Sequence, residues 1–160
     1  MTSGLTAGAS AKQLGESVEE TFTRLMLRHA AERPQAAALR EKEFGVWQTL
    51  TWSGLATLVR ELACGLADAG LMRGEHLVVI GENRPRLYAA MLAAQALGAI
   101  PVPLYQDGAT SEFVFPLNNA EIGFAIVEDQ EQVDKLLDVR AANSRPAASK
   151  VSSAARPGSR

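Results

Sequence analysis

Leu77-Val78-Val79-Ile80 is an unbroken apolar run, bounded by the Arg73-Gly74 turn on one side and Gly81 on the other. A strand with one wetted face alternates apolar and polar side chains. A run with no polar member therefore suits a strand buried on both faces, the condition of a parallel sheet with helices on either side. Pro85 then stands where the first helical turn tolerates a residue without an N–H, and Leu87, Tyr88, Met91, Leu92 and Ala96 form a stripe at helical steps before Gly98. The unit repeats, with a strand expected over 99–104, a helix over 111–117, a strand over 122–127 and a helix over 129–140 carrying Val133, Leu136 and Leu137. Strands alternating with helices call for βαβ crossovers, so the expected class is α/β with a mostly parallel sheet. Pro101 and Pro103 flank Val102 and limit the ladder bonds expected of that strand.

Upstream, Ser17 and Glu20 stand at capping-box spacing, and Phe22, Leu25, Met26, His29 and Ala30 recur along one helix face until Arg33-Pro34. Runs 37–40 and 46–52 read as a hairpin across the turn 41–45, with Val46, Leu50 and Trp52 on one side. Ser53 is the expected cap of the next helix, whose apolar face is Leu55, Leu58, Val59, Leu62, Leu66 and Ala67 and whose end is marked by Gly70.

Both ends differ in kind from this middle. Residues 1–16 read as a disordered leader, with no basic cluster followed by an apolar run. Residues 141–160 hold six Ala, five Ser, three Arg and two Pro, with Val151 the one sizeable aliphatic, so they are expected to be a disordered basic tail. The abrupt change at residue 140 is what a truncation or a shifted reading frame would leave. The domain expected between them is 17–140. Four bases lie in the tail, so 12 remain against 18 acids in residues 1–140. A body that acidic repels a phosphate backbone and argues against general nucleic-acid binding. No apolar stretch approaches the roughly 20 residues that span a bilayer. Cys64 is the only cysteine, which excludes an intrachain disulfide and suits a reducing cytoplasm, with peripheral membrane contact left open.

Several chemistries fall away. No two glycines stand two apart, and Gly65 and Gly70 are followed by Leu71 rather than lysine, so neither a GxGxxG nor a Walker loop exists. Two distant histidines and one cysteine supply no zinc spacing, and no GxSxG nucleophile elbow occurs. His29 reads as a packed or half-exposed side chain, Cys64 as a small core residue, and Glu128, Asp129 and Glu131 as acids that complement a helix start. The loop Gly81-Glu82-Asn83-Arg84-Pro85 follows the buried strand at its carboxyl end, where open α/β sheets place ligands. Asn83 and Arg84 either face a substrate there or cap the following helix.

The order of segments is specific. Thr51-Trp52, Gly70-Leu71-Met72-Arg73-Gly74-Glu75, Val78-Val79-Ile80-Gly81-Glu82-Asn83-Arg84-Pro85 and Ala96-Leu97-Gly98-Ala99-Ile100-Pro101-Val102-Pro103-Leu104 resemble, in order and spacing, the opening of AMP-forming long-chain acyl-CoA synthetases. Leu117-Asn118-Asn119-Ala120-Glu121 and Val127-Glu128-Asp129 continue the likeness, which covers about residues 20–140. Tyr88 departs from it, since many relatives place a tryptophan shortly after the Arg-Pro pair. The resemblance implies the incomplete N-terminal part of an acyl-adenylating enzyme fold. For a full-length relative it implies ATP, magnesium and coenzyme A as cofactors and a fatty or other carboxylic acid as substrate, joined through an acyl-adenylate.

The family's lysine-terminated Ser/Thr/Gly loop, its Tyr-Thr-Glu segment and its C-terminal lysine have no counterpart here. Lys12, Lys42, Lys135 and Lys150 are the only lysines, and none follows such a loop. No catalytic or cofactor-binding residue carries over, so the chain alone is expected to be inactive. Two rivals stay open. One is a non-catalytic module that dimerises with or regulates a full-length relative, with a homo-oligomer among its forms. The other is an aryl-acid or amino-acid activating relative.

Overall fold

The computed structural model describes residues 21–142 and 150–153. Its centre is β3 (His76–Ile80), with β4 (Ile100–Leu104) on one side, β5 (Phe124–Val127) on the other, and β6 (Lys150–Ser153) beyond β5, all parallel. Leu77, Val78, Val79 and Ile80 are at most 1% exposed, so β3 is buried on both faces as the apolar run requires. Burying each such side chain is worth roughly 2 kcal/mol.

The two faces have different covers. Leu77 and Val79 pack with α1 (Phe22–Glu32), α2 (Trp52–Asp68) and α3 (Pro85–Ala96), through Met26, Leu55, Val59, Ala89 and Ala93. Val78 and Ile80 pack with Phe113 of α4 (Thr110–Asn119) and with Leu136 and Val139 of α5 (Gln130–Ala142). The chain leaves β3 through α3 to reach β4, then returns through α4 on the opposite face to reach β5 on β3's other flank. Reversing direction while changing face keeps both crossovers of one hand. Topology and layers confirm the α/β class with an N-terminal helix and hairpin.

The prolines of β4 act differently from expectation. Ile100 N–H donates to Glu75 O at 2.8 Å, so residues 100, 102 and 104 turn their backbone groups toward β3. Alternation then points Pro101 and Pro103 away from β3. Their missing N–H groups cost the ladder nothing; they strip the donors from the outer edge and discourage a further strand from pairing there.

Three local expectations change. In α3 the buried positions are Pro85, Ala89, Ala90, Ala93 and Ala94, while Leu87, Met91 and Leu92 are half-buried and Tyr88 and Ala96 exposed. Small side chains let this helix sit close to the sheet and to α2, so the longer residues are displaced to the rim. Trp52 opens α2 rather than ending the strand, because Thr51 Oγ1, not Ser53, accepts from Gly54 N–H as the cap. Cys64 is exposed, the core positions of α2 being Leu55, Val59, Ala63 and Leu66.

The hairpin of β1 (Ala37–Glu43) and β2 (Val46–Thr51) closes through Phe44 and Gly45, both at positive φ, a two-residue turn tighter than the one expected over 41–45. The expected leader and the Ser17–Glu20 box lie outside the described residues. So does most of 141–160, but α5 runs to Ala142 and the backbone of 150–153 pairs with β5, where no order was expected. Among the described residues no helix is long and apolar enough to cross a membrane.

If close packing by alanine sets the α3 position, Ala93→Leu should cost about 1–3 kcal/mol in urea unfolding through overpacking. Ala96→Leu, on the exposed side of the same helix, should fall within about 0.5 kcal/mol of the parent.

Candidate functional site

In-register pairing of Ile80 with Leu104 and with Val127 brings three strand ends level, so the loops that follow β3, β4 and β5 meet at one edge of the sheet. The chain reverses its direction across the sheet here, and open α/β sheets place ligand crevices outside the carboxyl ends of strands at such a reversal. A cleft of about 150 Å³ lies at this edge. Glu82 lines it from the first loop, Gln106 and Asp107 from the second, Glu128 and Asp129 from the third, and Glu131 and Gln132 from the first turn of α5.

Asn83 and Arg84, the residues singled out in the sequence, are brought to the same edge but are not among those lining the cleft. Arg84 Nε donates to Glu82 Oε2 and lies 3.5 Å from Glu128 Oε1, while Nη1 lies 3.9 Å from Glu41 Oε2 on the hairpin. Asn83 Oδ1 accepts from the Tyr88 hydroxyl. Neither side chain caps α3. Arg84 takes the cap position by its extended backbone alone, and Pro85, lacking an N–H, has nothing there to satisfy.

Glu128 organises the corner. One of its carboxylate oxygens accepts from Glu82 N–H and the other faces Arg84. It packs so closely over Gly81 that a Cβ there would stand 3.0 Å from both Glu128 Cβ and Oε2. Close approach thus favours glycine here, and the acid read in the sequence as a helix-start charge holds two loops together. Asp129 does serve the helix, its Oδ1 accepting from Gln132 N–H at 3.1 Å.

The Arg84 guanidinium has its pKa raised, first by the hydrogen bond to Glu82 and then by the fields of Glu82, Glu128 and Glu41, against some loss from desolvation. A base whose pKa rises on folding holds its proton more tightly in the folded chain. Its contribution is whole below the unfolded value and is lost only as alkali strips the folded proton, so Arg84 stays charged throughout any neutral or acidic range.

The lining does not fit a nucleotide triphosphate. Five of its seven residues are carboxylates, and the two cations beside it are engaged, Arg84 as above and Lys135 Nζ with Glu131 Oε1 at 2.9 Å and Gln106 O at 2.8 Å. Among the described residues no group of three or more His, Cys, Asp or Glu is arranged to hold a metal ion. The acids Glu82, Asp107 and Glu128 and the amide of Gln132 were not foreseen as a cluster. The signal available was position, since the first three follow the carboxyl ends of successive strands by one to three residues.

Residues 26–158 match the AMP-binding enzyme family, a match that runs past residue 140, where the likeness noted in the sequence stops, and takes in β6. The uncharacterised protein Rv1549 of Mycobacterium tuberculosis is 33% identical over 116 residues, 72% of this chain and 65% of that protein. The long-chain-fatty-acid–CoA ligase ACSBG2 of Rattus norvegicus is 28% identical over 102 residues, 64% of this chain and 15% of the ligase. The inhibitor-bound N-terminal domain of FACL13 from Mycobacterium tuberculosis superposes with a TM-score of 0.72 at 20% identity, over 82% of this chain and 33% of that one, which is a likeness of fold. The chain thus spans less than two thirds of these relatives, and only about a seventh of the ligase.

If Arg84 ties the hairpin to two loops, Arg84→Met should lower stability by about 1 kcal/mol, the scale of partly exposed pairs acting as a network. That is a fall of about 3 °C in Tm by calorimetry, and the difference from the parent should shrink in 1 M sodium chloride.

Proposed function

Because the chain belongs to the AMP-binding enzyme family, we propose that it supplies the sheet and loop framework of a fatty acid–CoA ligase-like fold without catalysing adenylation on its own. The likeness to the long-chain-fatty-acid–CoA ligase ACSBG2 makes a long-chain fatty acid the favoured substrate class for a complete relative. The sign of charge at the switch point carries the proposal. Forming an acyl-adenylate requires N–H donors and cations aimed at a triphosphate as charge moves onto the departing pyrophosphate. This edge instead presents Glu82, Asp107, Glu128, Asp129 and Glu131, with Arg84 and Lys135 already held by carboxylates. The absence of a phosphate loop from the sequence supports the same conclusion.

Asn83 and Arg84 then act as positioning residues. Arg84 fixes the loop after β3 against β5 and the hairpin, and Asn83 anchors Tyr88, so any acyl chain or adenylate held by a longer relative would meet a loop of set shape.

The hairpin tip favours a second reading, the non-catalytic dimerisation or regulatory module. Phe44 is 93% exposed and Trp47 66%, an unusual exposure for aromatic side chains so near one another.

With ATP, magnesium and palmitate, pyrophosphate exchange by the purified chain should not rise above a no-protein control, and Mg-ATP titrated by calorimetry should give no saturable heat. Sustained exchange would overturn the framework proposal. A concentration-dependent dimer by light scattering that Trp47→Lys abolishes would establish the second reading, and a monomer at all concentrations would remove it.

A further inference from the structure

Phe44 occupies a position that suits it badly. It is the first residue of the two-residue turn between β1 and β2, at φ 48°, and Gly45 follows at φ 82°. Turns with positive φ at both central residues favour Asn, Asp or Gly at the first, and a bulky side chain there is a steric outlier. Packing does not offset the strain. Phe44, Val46 and Trp47 are 93%, 61% and 66% exposed, and none belongs to either core. Among the described residues, neither Phe44 nor Trp47 stacks on another ring or lies under a cation. An aromatic kept where the turn disfavours it and the fold does not use it directs attention to something outside the chain.

The surroundings give the partner's chemistry. Lys42 stands opposite Trp47 and Arg40 opposite Thr49, so alternation puts all four on one face of the hairpin, and all are exposed. Among the described residues, neither Arg40 nor Lys42 has an ion-pair partner. Glu41 and Glu43 fall on the other face and are half-buried, with Glu41 Oε2 3.9 Å from Arg84 Nη1. Leu39 and Leu50 root the hairpin in the core. Along its length the order is therefore an apolar apex, cations behind it and an anchored base. A bilayer has the matching order, apolar within and phosphates above. A strand advances about 3.3 Å per residue, which sets Lys42 about 7 Å behind Phe44, and one headgroup layer is about 5–7 Å deep. With the rings at the acyl boundary, where aromatics favour the interface, Lys42 meets the phosphates and Arg40 reaches forward along its alkyl stem. A second copy docked face to face would instead bring Lys42 and Arg40 toward their own counterparts.

We propose that the β1–β2 hairpin tip docks on an anionic lipid bilayer, with Phe44, Val46 and Trp47 in the interface and Lys42 and Arg40 on the headgroup phosphates. The attraction is local. Residues 1–140 carry 12 bases against 18 acids, and screening over about 8 Å at physiological salt keeps that excess from cancelling the two cations at the tip. The same excess turns the rest of the body away from the surface, so the tip leads. The docking surface rests on the hairpin alone and is separate from adenylation.

The test is flotation of the 160-residue chain with vesicles of phosphatidylcholine, alone or mixed two to one with phosphatidylserine. Co-flotation is expected with the mixed vesicles, little with phosphatidylcholine alone, and most of it should be lost in about 1 M sodium chloride. Lipids brominated in the acyl chain should quench tryptophan emission. Trp47→Ser should remove that quenching, since Trp52 packs against the core beside His29. Lys42→Ala combined with Arg40→Ala should weaken binding roughly 25-fold, about fivefold for each charge. Phe44→Asn separates docking from stability: it should hold or raise the thermal midpoint, because Asn suits the turn, while weakening vesicle binding severalfold. No co-flotation, equal binding to phosphatidylcholine alone, or unchanged affinity in Phe44→Asn would each overturn the proposal. So would a lipid-free dimer abolished by Trp47→Lys, which assigns the tip to a second copy, or displacement from vesicles by an oligothymidylate, which assigns it to nucleic acid.

Discussion

One strand that water does not reach sets the terms for everything around it. Both faces of β3 are covered, so its side chains must all be apolar, and both of its edges must be paired, because a buried backbone N–H or carbonyl without a partner is unfavourable. Two parallel neighbours follow from that requirement, and parallel neighbours require crossovers. The crossovers must occupy opposite faces, since one face is already filled by α1, α2 and α3. The convergence of three loops at one edge is therefore a consequence of burying four consecutive aliphatic residues, before any functional side chain is considered.

That convergence brings an electrostatic problem, and the corner around Glu128 resolves it. Three loops rich in carboxylates cannot sit together unless cations or N–H donors offset them. Arg84 reaches three acids from three separate segments, and the Glu82 amide donates to Glu128. Gly81 leaves room for this arrangement, since a Cβ there would press on the Glu128 side chain and require it to shift by a few tenths of an ångström. Close approach, a shared acid and a bridging guanidinium form one unit, and its cost in free energy is small because the groups remain partly exposed.

The framework was largely legible in the residues because its determinants are local. The unbroken run 77–80, Pro85 at a helix start and Gly70 at a helix end each carry their meaning within a few positions, and each appears where it was expected. What escaped was decided by distance in space. The four buried alanines of α3 look less hydrophobic than Leu87 or Met91, yet they are chosen by the closeness of the sheet, which periodicity does not report. Pro101 and Pro103 were read as limits on a ladder, but which way they point depends on the register with β3. Asn83 and Arg84 lie at the strand end, and of the carboxylates around Arg84 only Glu82 is near in sequence, Glu41 and Glu128 coming from far along the chain. Strand pairing at 150–153 lay hidden because a segment poor in aliphatic residues gave no sign of an edge waiting for it.

A sheet reversal of this kind commonly presents helix N-termini and backbone amides to an anion. In this chain the same ground is taken by acids. Asp129 caps the start of α5, and Glu128 accepts from the loop that precedes α3, whose own start carries no side-chain cap. Fold and function separate at that point. The parallel sheet and its covers are the family's common property, whereas the chemistry a site performs depends on the charge that its loops present. At this edge the loops present mostly carboxylates, and the two cations beside them are already paired.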